Sequence, residues 1–290
     1  EVKVRAVKAL GGQVVLHGET YDECSAEARR RCEAEGLTFI HPFDDPEVIA
    51  GQGTIGMEIM RQAEHPPDAI YIAVGGGGLI AGIGAYVKQL WPETELIGVE
   101  PIDADAMTRS LEKGERVELS QVGLFADGVA VRSVGLHTFE LAQRFVDRMI
   151  TVDTDAICAA IKDVFEDTRS ILEPAGALAI AGMKQDVADR TLQQKRLVAV
   201  ACGANMNFDR LRFIAERSEL GEEREAMLAV EIPERPGSLR TLCELLSTRS
   251  LTEFSYRMTD GAKAQIFIGV QVIDERDRSA LLDQLKQGGF

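Results

Sequence analysis

Residues 71–90, "YIAVGGGGLIAGIGAYVKQL", set the reading of the fold. The apolar run up to Val74 is unbroken rather than alternating, the pattern of a parallel strand buried on both faces. Gly75–Gly78 follow, and a helical period then opens at Leu79 and is stopped by Pro92. A strand, a glycine turn and a helix together form an anion site. Glycine lets the backbone approach a ligand, and the free N–H groups and the dipole of the helix N-terminus both favour negative charge.

Three anions fit this loop. A nucleotide held by a P-loop does not, because no G-K-[ST] follows the glycines. A dinucleotide such as NAD does: Gly76, Gly78 and Ala81 match G-x-G-x-x-A, and Glu100 ends the next apolar run 22 residues after Gly78, where a ribose-binding acid belongs. Another phosphate, or glycines that serve packing alone, fits as well. A single phosphate such as that of pyridoxal phosphate suits a tetraglycine cradle, and requires a group facing the pyridine nitrogen and a lysine for the Schiff base. "ACGANMNF" supplies a candidate for the first in Cys202, at the C-terminal end of a predicted parallel strand, where open α/β sheets place their ligands. Read by itself, Cys202 is first of all a small buried thiol.

Working outward, β-rich runs alternate with helical periods. "QVVLHG" (13–18) and "LTFIHPF" (37–43) read as strands, and between them residues 20–36 read as a helix with Thr20 as N-cap, Glu23 completing a capping box and Gly36 past the end. Residues 51–64 read as a helix opened by glycines, and "ELIGVEP" (95–101) as the next strand. In 153–171, Ile157, Ala160, Ile161, Val164 and Phe165 fall on one helical stripe, predicted to be buried. Residues 175–187 form a small-residue helix, and "KRLVAVACGANMNF" a strand running into a turn. This alternation predicts an α/β domain with a mostly parallel sheet. After Gly221 the pattern becomes β, α, β, β, α, with a hairpin turn at Thr259–Asp260–Gly261; this is a ferredoxin-like layout, with a boundary at about 222–225.

The 290 residues suffice for one large domain and a small one. The formal net charge of −15 argues against a nucleic-acid or anionic-membrane partner. No apolar run approaches the roughly 20 residues of a membrane helix, and the first residues carry no signal-peptide h-region. Five cysteines without C-x-x-C spacing read as reduced thiols of a cytoplasmic protein, and the four histidines have no ligand spacing.

Several segments together resemble biosynthetic threonine dehydratase (threonine ammonia-lyase), a fold-type II pyridoxal phosphate family. They are "HPFDDPEVIAGQGTIGMEI" (41–59), "VGGGGLIAG" (74–82), "GLFADGVAV" (123–131), residues 150–182 with "EPAGA", "CGANMNFDRLRFIAERSELGE" (202–222) and "LAVEIPERPGSL" (228–239). The resemblance covers essentially the whole chain, and residues 213–238 are similar to the family's junction into an ACT-like regulatory region. It implies a tryptophan synthase β-like catalytic domain over 1–222 and an ACT-like domain over 225–290. It implies β-elimination of L-threonine, and L-serine as a second substrate, to 2-oxobutanoate in the case of threonine and ammonia. Isoleucine and valine are then the effectors, and a homotetramer the assembly.

Residue by residue, Gly75, Gly76, Gly77, Gly78 and Leu79 match the family's phosphate loop. Cys202 matches the position facing the pyridine nitrogen, where many members have serine; a neutral thiol is a weak hydrogen-bonding group and would leave that nitrogen largely unprotonated. Glu173 takes a supporting role near the pyridine side, its alternative being a helix N-terminal carboxylate. Asp127 and Gly128 would line the cleft, and Gln52 and Gly53 would pack beneath it. "VEPIDADAM" resembles the metal-binding stretch of serine racemase at Glu100 and Ala104, but Ala106 stands at the second acid, so no tightly bound divalent metal is expected.

The family's S-x-K-x-R-G segment does not occur in these residues; Lys3 resembles it only superficially. The chain opens inside a helical pattern and stops at "KQGGF", and both ends read as cut. The expectation is a fragment without the Schiff-base lysine or the end of the regulatory region, inactive on threonine. The competing readings are an NAD-binding dehydrogenase and a non-catalytic amino-acid-binding module in which 225–290 alone matter.

Overall fold

A computed structural model describes residues 2–18, 21–208, 210–221, 225–233, 235–246, 249–258, 263–273 and 275–290. Its helices and strands follow in chain order as α1 (Val2–Ala9), α2 (Tyr21–Glu35), α3 (Pro46–Gln62), β1 (Ala69–Ala73), α4 (Gly78–Leu90), β2 (Glu95–Pro101), α5 (Ala106–Lys113), a 3-10 turn (Asp127–Val129), α6 (Leu136–Phe145) and β3 (Arg148–Val152). Then come α7 (Thr154–Thr168), α8 (Pro174–Asp189), β4 (Leu197–Ala199), α9 (Arg210–Gly221), β5 (Glu225–Pro233), α10 (Ser238–Leu246), β6 (Leu251–Met258), β7 (Lys263–Gln271) and α11 (Glu275–Gln287). The chain forms two compact units, one of Glu1–Thr151 with Asp186–Val200, the other of Val152–Gln185 with Ala201–Phe290.

In the first unit the strand order is β3-β2-β1-β4. The central strand β1 runs parallel to both neighbours, with Tyr71 opposite Ile97 on β2 and Ala199 on β4. All five of its residues are buried, as the unbroken apolar run requires. Ile70 and Ile72 join Ile80, Ile83 and Val87 of α4, Met107 of α5 and Phe139 and Phe145 of α6 in one core. Each such side chain stabilises the fold by about 1.5–3 kcal/mol relative to exposure. Helices α3 and α4 meet through glycines. A Cβ on Gly53 would lie 3.0 Å from the Gly82 carbonyl oxygen, and one on Gly82 only 2.7 Å from the Gly53 nitrogen. Gly53 thus serves the close packing of α3 on α4.

One polar network is built into this core. The Tyr71 hydroxyl donates to Asp186 (2.7 Å), and Arg148 donates to both oxygens of Asp186 (3.2 and 2.8 Å) and to Glu95 (3.0 Å). Burial works to raise the Asp186 pKa, but the bonds from Arg148 and Tyr71 prevail and hold it below the usual carboxylate range.

Two sequence expectations fail here. Residues 13–18 and 37–43 are not strands. Among the described residues they pair with nothing in the sheet, and β-propensity without a partner leaves extended coil; Leu16 is 79% and Ile40 74% exposed. The expected helix at 20–36 is α2, while Thr20, its proposed cap, lies outside the described residues. The expected helix at 51–64 starts earlier, at Pro46, because Asp45 caps it by accepting from the N–H of Glu47 (2.9 Å) and Val48 (3.3 Å).

In the second unit, the α7 stripe is buried at Ile157, Ala160 and Ile161, but Phe165 is 42% exposed, against expectation. Phe165 borders a groove of about 310 Å³ shared with Leu211 and Ile214 of α9, so the stripe ends in that groove rather than in the core. Helix α8 is buried at Ala175, Ala177, Leu178, Ala179 and Ala181, as its small residues predict. Beyond α9 the β-α-β-β-α order holds. The antiparallel sheet runs β5-β7-β6, with Ala264, Ile266, Ile268 and Val270 of β7 facing Leu242, Leu246, Leu281 and Leu285 of α10 and α11 in one core. The hairpin turn at 259–261 and most of the expected boundary at 222–225 lie outside the described residues. Among the described residues no helix is long and apolar enough to cross a membrane.

Replacing Asp186 with alanine leaves Arg148 without its main partner and should cost about 3 kcal/mol. Urea unfolding followed through Trp91, the chain's single tryptophan, which packs on the first unit's core, measures it. Because the folded pKa is depressed, the Asp186 contribution is present above about pH 4 and is lost as pH falls through the folded value. The gap between wild type and Asp186→Ala should therefore close in acid.

Candidate functional site

β1 ends where Val74 donates to the Val99 oxygen (2.9 Å), and the chain turns at once through Gly75–Gly78. Gly77 is the residue before α4 and sits at φ 95°, a left-handed conformation that glycine adopts without strain. The first bond of the α4 ladder runs from Ala81 N–H to the Gly77 oxygen (3.0 Å). The N–H groups of Gly78, Leu79 and Ile80 therefore precede the ladder, Gly77 has no side chain to cap them, and among the described residues no other side chain is bonded to them.

The loop is walled on its other sides. A Cβ on Gly75 would come within 2.8 Å of the Val129 Cα, one on Gly77 within 2.6 Å of Met107 Cε and 2.9 Å of Thr138 Cβ, and one on Gly78 within 3.0 Å of Phe43. At Gly76 it would overlap the Phe43 ring. A side chain at any of the four would have to displace a wall. The Gly76 carbonyl accepts from Thr138 Oγ1 (2.6 Å) and from Gly135 N–H (3.3 Å). Leu79 packs against the core with its side chain, so only its N–H is offered to a ligand. Backbone donors at the positive end of a helix, in a space closed to side chains, fit a phosphate group.

Glu100, the candidate ribose acid, is fully buried and committed elsewhere. Its carboxylate accepts from Met107 N–H (2.9 Å), Thr108 N–H (2.8 Å) and Thr108 Oγ1 (2.7 Å), the start of α5. Burial pushes its pKa up to about 7 against the lowering effect of those bonds. Among the described residues no group of three or more His, Cys, Asp or Glu is arranged to hold a metal. Asp127 and Gly128 are exposed; it is their neighbour Val129 that touches the glycine loop.

Cys202 and Glu173 belong to the second unit, the glycine loop to the first. Within the second unit, Glu173 N–H donates to the Gly203 oxygen (3.1 Å), and its carboxylate accepts from Asn205 N–H (3.2 Å). Cys202 N–H reaches the Gly176 oxygen (3.4 Å), and Gly176 has no space for a Cβ beside the Cys202 carbonyl. Gly203 turns at φ 81°. The segment "CGAN" thus folds back onto the start of α8, with Glu173 as its clasp. Burial, and then the nearby Glu173 charge, push the Cys202 thiol up, so it is neutral at pH 7.

Sequence reasoning missed the walls of the loop, Phe43, Met107 and Thr138. The signal for Phe43 was present in "HPFDD", quoted above for its resemblance and given no structural part.

Residues 1–203 match the family described as pyridoxal-phosphate dependent enzyme, and residues 216–290 the C-terminal regulatory domain of threonine dehydratase. The L-threonine dehydratase biosynthetic IlvA of Burkholderia multivorans is 54% identical over 100% of this chain and 58% of its own length. Its namesake from Escherichia coli is 48% identical over 100% of this chain and 56% of its own length. The chain therefore spans about half the length of the curated relatives it matches. Among solved structures, the processed form of threonine deaminase isoform 2 from Solanum lycopersicum superposes with a TM-score of 0.73 at 51% identity, covering 76% of this chain and 60% of that one.

The Glu173 charge beside Cys202 has a measurable consequence. Glu173→Gln removes the charge while keeping an oxygen for Asn205 N–H, and should lower the Cys202 pKa. Alkylation of Cys202 by iodoacetamide at pH 8, followed by peptide mass spectrometry, should accelerate roughly threefold. An unchanged rate would mean that the carboxylate does not act on the thiol.

Proposed function

We propose that this chain, which belongs to the pyridoxal-phosphate dependent enzyme family, is the core of a biosynthetic L-threonine dehydratase, with a catalytic domain over 1–222 and a regulatory, ACT-like domain over 225–290. The reaction is β-elimination of L-threonine to 2-oxobutanoate and ammonia, with L-serine as a second substrate. Isoleucine and valine act on the regulatory domain. The working assembly is a homotetramer in the cytoplasm. Support comes from the names carried by relatives at about half identity and from the regulatory-domain match over 216–290.

One structural observation carries the cofactor assignment. In the first unit α3 is capped by Asp45, α5 by Glu100 and α6 by Asp44, each with a carboxylate on its N-terminal N–H groups. Helix α4 receives none from the described residues. Its positive end is left to an external anion, behind four glycines that leave no room for a side chain. Gly75, Gly76, Gly77, Gly78 and Leu79 would hold the phosphate through backbone N–H groups.

When bound, pyridoxal phosphate supplies an electron sink that acidifies the substrate Cα–H and so permits departure of the β-hydroxyl. The residues of this chain contribute binding and electrostatics. The neutral Cys202 thiol would face the pyridine nitrogen and, unlike an aspartate, would not hold a proton on it. Glu173 keeps the "CGAN" segment against α8, and its charge adds to the burial that pushes that thiol up. The NAD reading loses its ribose acid, because the Glu100 oxygens are taken up by α5.

The full-length polypeptide should bind pyridoxal phosphate and not NADH in equilibrium dialysis. It should release 2-oxobutanoate from L-threonine, and isoleucine should raise its thermal midpoint. Selective NADH binding would sink the cofactor assignment. Pyridoxal phosphate binding without release of an oxo acid from threonine would sink the substrate assignment.

A further inference from the structure

The segment "HPFDD" (41–45) grips the glycine loop from outside. His41 Nδ1 accepts from the N–H of Phe43 (3.2 Å) and of Asp44 (2.8 Å), closing a tight turn. That turn places the Phe43 ring against Gly76 and its backbone against Gly78. It also places the Asp44 carboxylate on the first N–H groups of α6: Leu136 (2.9 Å), His137 (2.9 Å) and Thr138 (3.2 Å). Gly135, the residue before α6, has no side chain to cap it. The cap comes instead from a residue 92 positions away.

Thr138 is fully buried and passes that position on. Its Oγ1 donates to the Gly76 oxygen at 2.6 Å, joined by Gly135 N–H at 3.3 Å. The Gly76–Gly77 peptide is trans, so its C=O and N–H point in opposite directions within the peptide plane. With the Gly76 oxygen drawn toward α6, the Gly77 N–H is turned away from α6. Four consecutive glycines have more conformational freedom than any other run of residues. A donor set made of them requires an outside hold if it is to be preorganised for an anion.

We propose that Asp44 and Thr138 are positioning residues for the glycine loop: Asp44 fixes the start of α6, and Thr138 locks the Gly76–Gly77 peptide with its N–H turned to the anion. This rests on the reading above, that the loop takes a phosphate. The two residues touch neither the phosphate nor the substrate; they act through Gly76.

The test measures, by equilibrium dialysis on the full chain, affinity for pyridoxal 5′-phosphate and for pyridoxal, which lacks the phosphate. Thr138→Val removes the donor at nearly constant shape, and Thr138→Ser restores it. Thr138→Val should weaken pyridoxal phosphate binding about tenfold and leave pyridoxal unchanged. Thr138→Ser should behave as wild type. Asp44→Asn, which puts an amide where a carboxylate accepted, should shift the phosphate preference in the same direction. A Thr138→Val protein with the wild-type preference overturns the proposal, as does an equal loss for both probes, which would mark a purely structural role. Wild-type protein that binds both probes equally would instead overturn the phosphate reading of the loop, and the proposal with it.

Discussion

The candidate site depends on a steric constraint: between β1 and α4 the backbone is approached so closely that no Cβ fits at Gly75, Gly76 or Gly77, and one at Gly78 would press on Phe43. Phe43, Met107, Val129 and Thr138 supply the walls, and they come from four separate stretches of the chain. Packing and anion binding are therefore not alternatives for these glycines. The walls close one side of the loop to side chains, and the same backbone presents its N–H groups where the walls are absent. Had the walls been more distant, alanines would have been tolerated at Gly75, Gly76 and Gly78 but not at Gly77, whose φ of 95° strains any side chain whatever the space.

A second constraint follows from the charge balance. With 47 acidic against 32 basic residues, the chain has many carboxylates to place, and those in its interior each have a defined partner. Asp44, Asp45 and Glu100 lie on helix N-termini, where the dipole favours them, and Asp186 lies between Arg148 and Tyr71. The outcomes differ in sign. Asp186 faces full cationic charge and stays below the usual carboxylate range. Glu100 has only N–H and hydroxyl donors, which do not offset its complete burial, and it rises to about 7. Beside α3, α5 and α6 of the first unit, α4 stands out electrostatically, since among the described residues no carboxylate answers its positive end.

The residues around Cys202 show a different arrangement. A backbone bond ties Cys202 to Gly176 of α8, and Glu173 makes the clasp while its charge adds to the burial that raises the thiol pKa. Its alternative reading, a helix N-terminal carboxylate, is thus part of the same arrangement: Glu173 does sit at the start of α8, and from there it reaches Asn205. The local role and the proposed supporting role use one set of contacts.

Much of this was legible in the residues themselves. The unbroken apolar run of β1, the glycine turn, the small-residue helix α8 and the β-α-β-β-α order of the C-terminal part follow from local patterns, because period and glycine content act over a few residues. The strands expected at 13–18 and 37–43 did not form, because a strand is completed by a partner that its own sequence does not specify. Phe165, on a regular stripe, ends in a groove because burial depends on what packs opposite. That Phe43, Met107 and Thr138 meet at the loop could not be read for the same reason. Sequence by itself determined that a glycine turn able to cradle an anion begins at Gly75 and which residues could offer N–H groups there. Tertiary structure alone decided what holds that cradle in shape, since a carboxylate at Asp44 can orient a peptide at Gly76 only once folding has brought α6 between them.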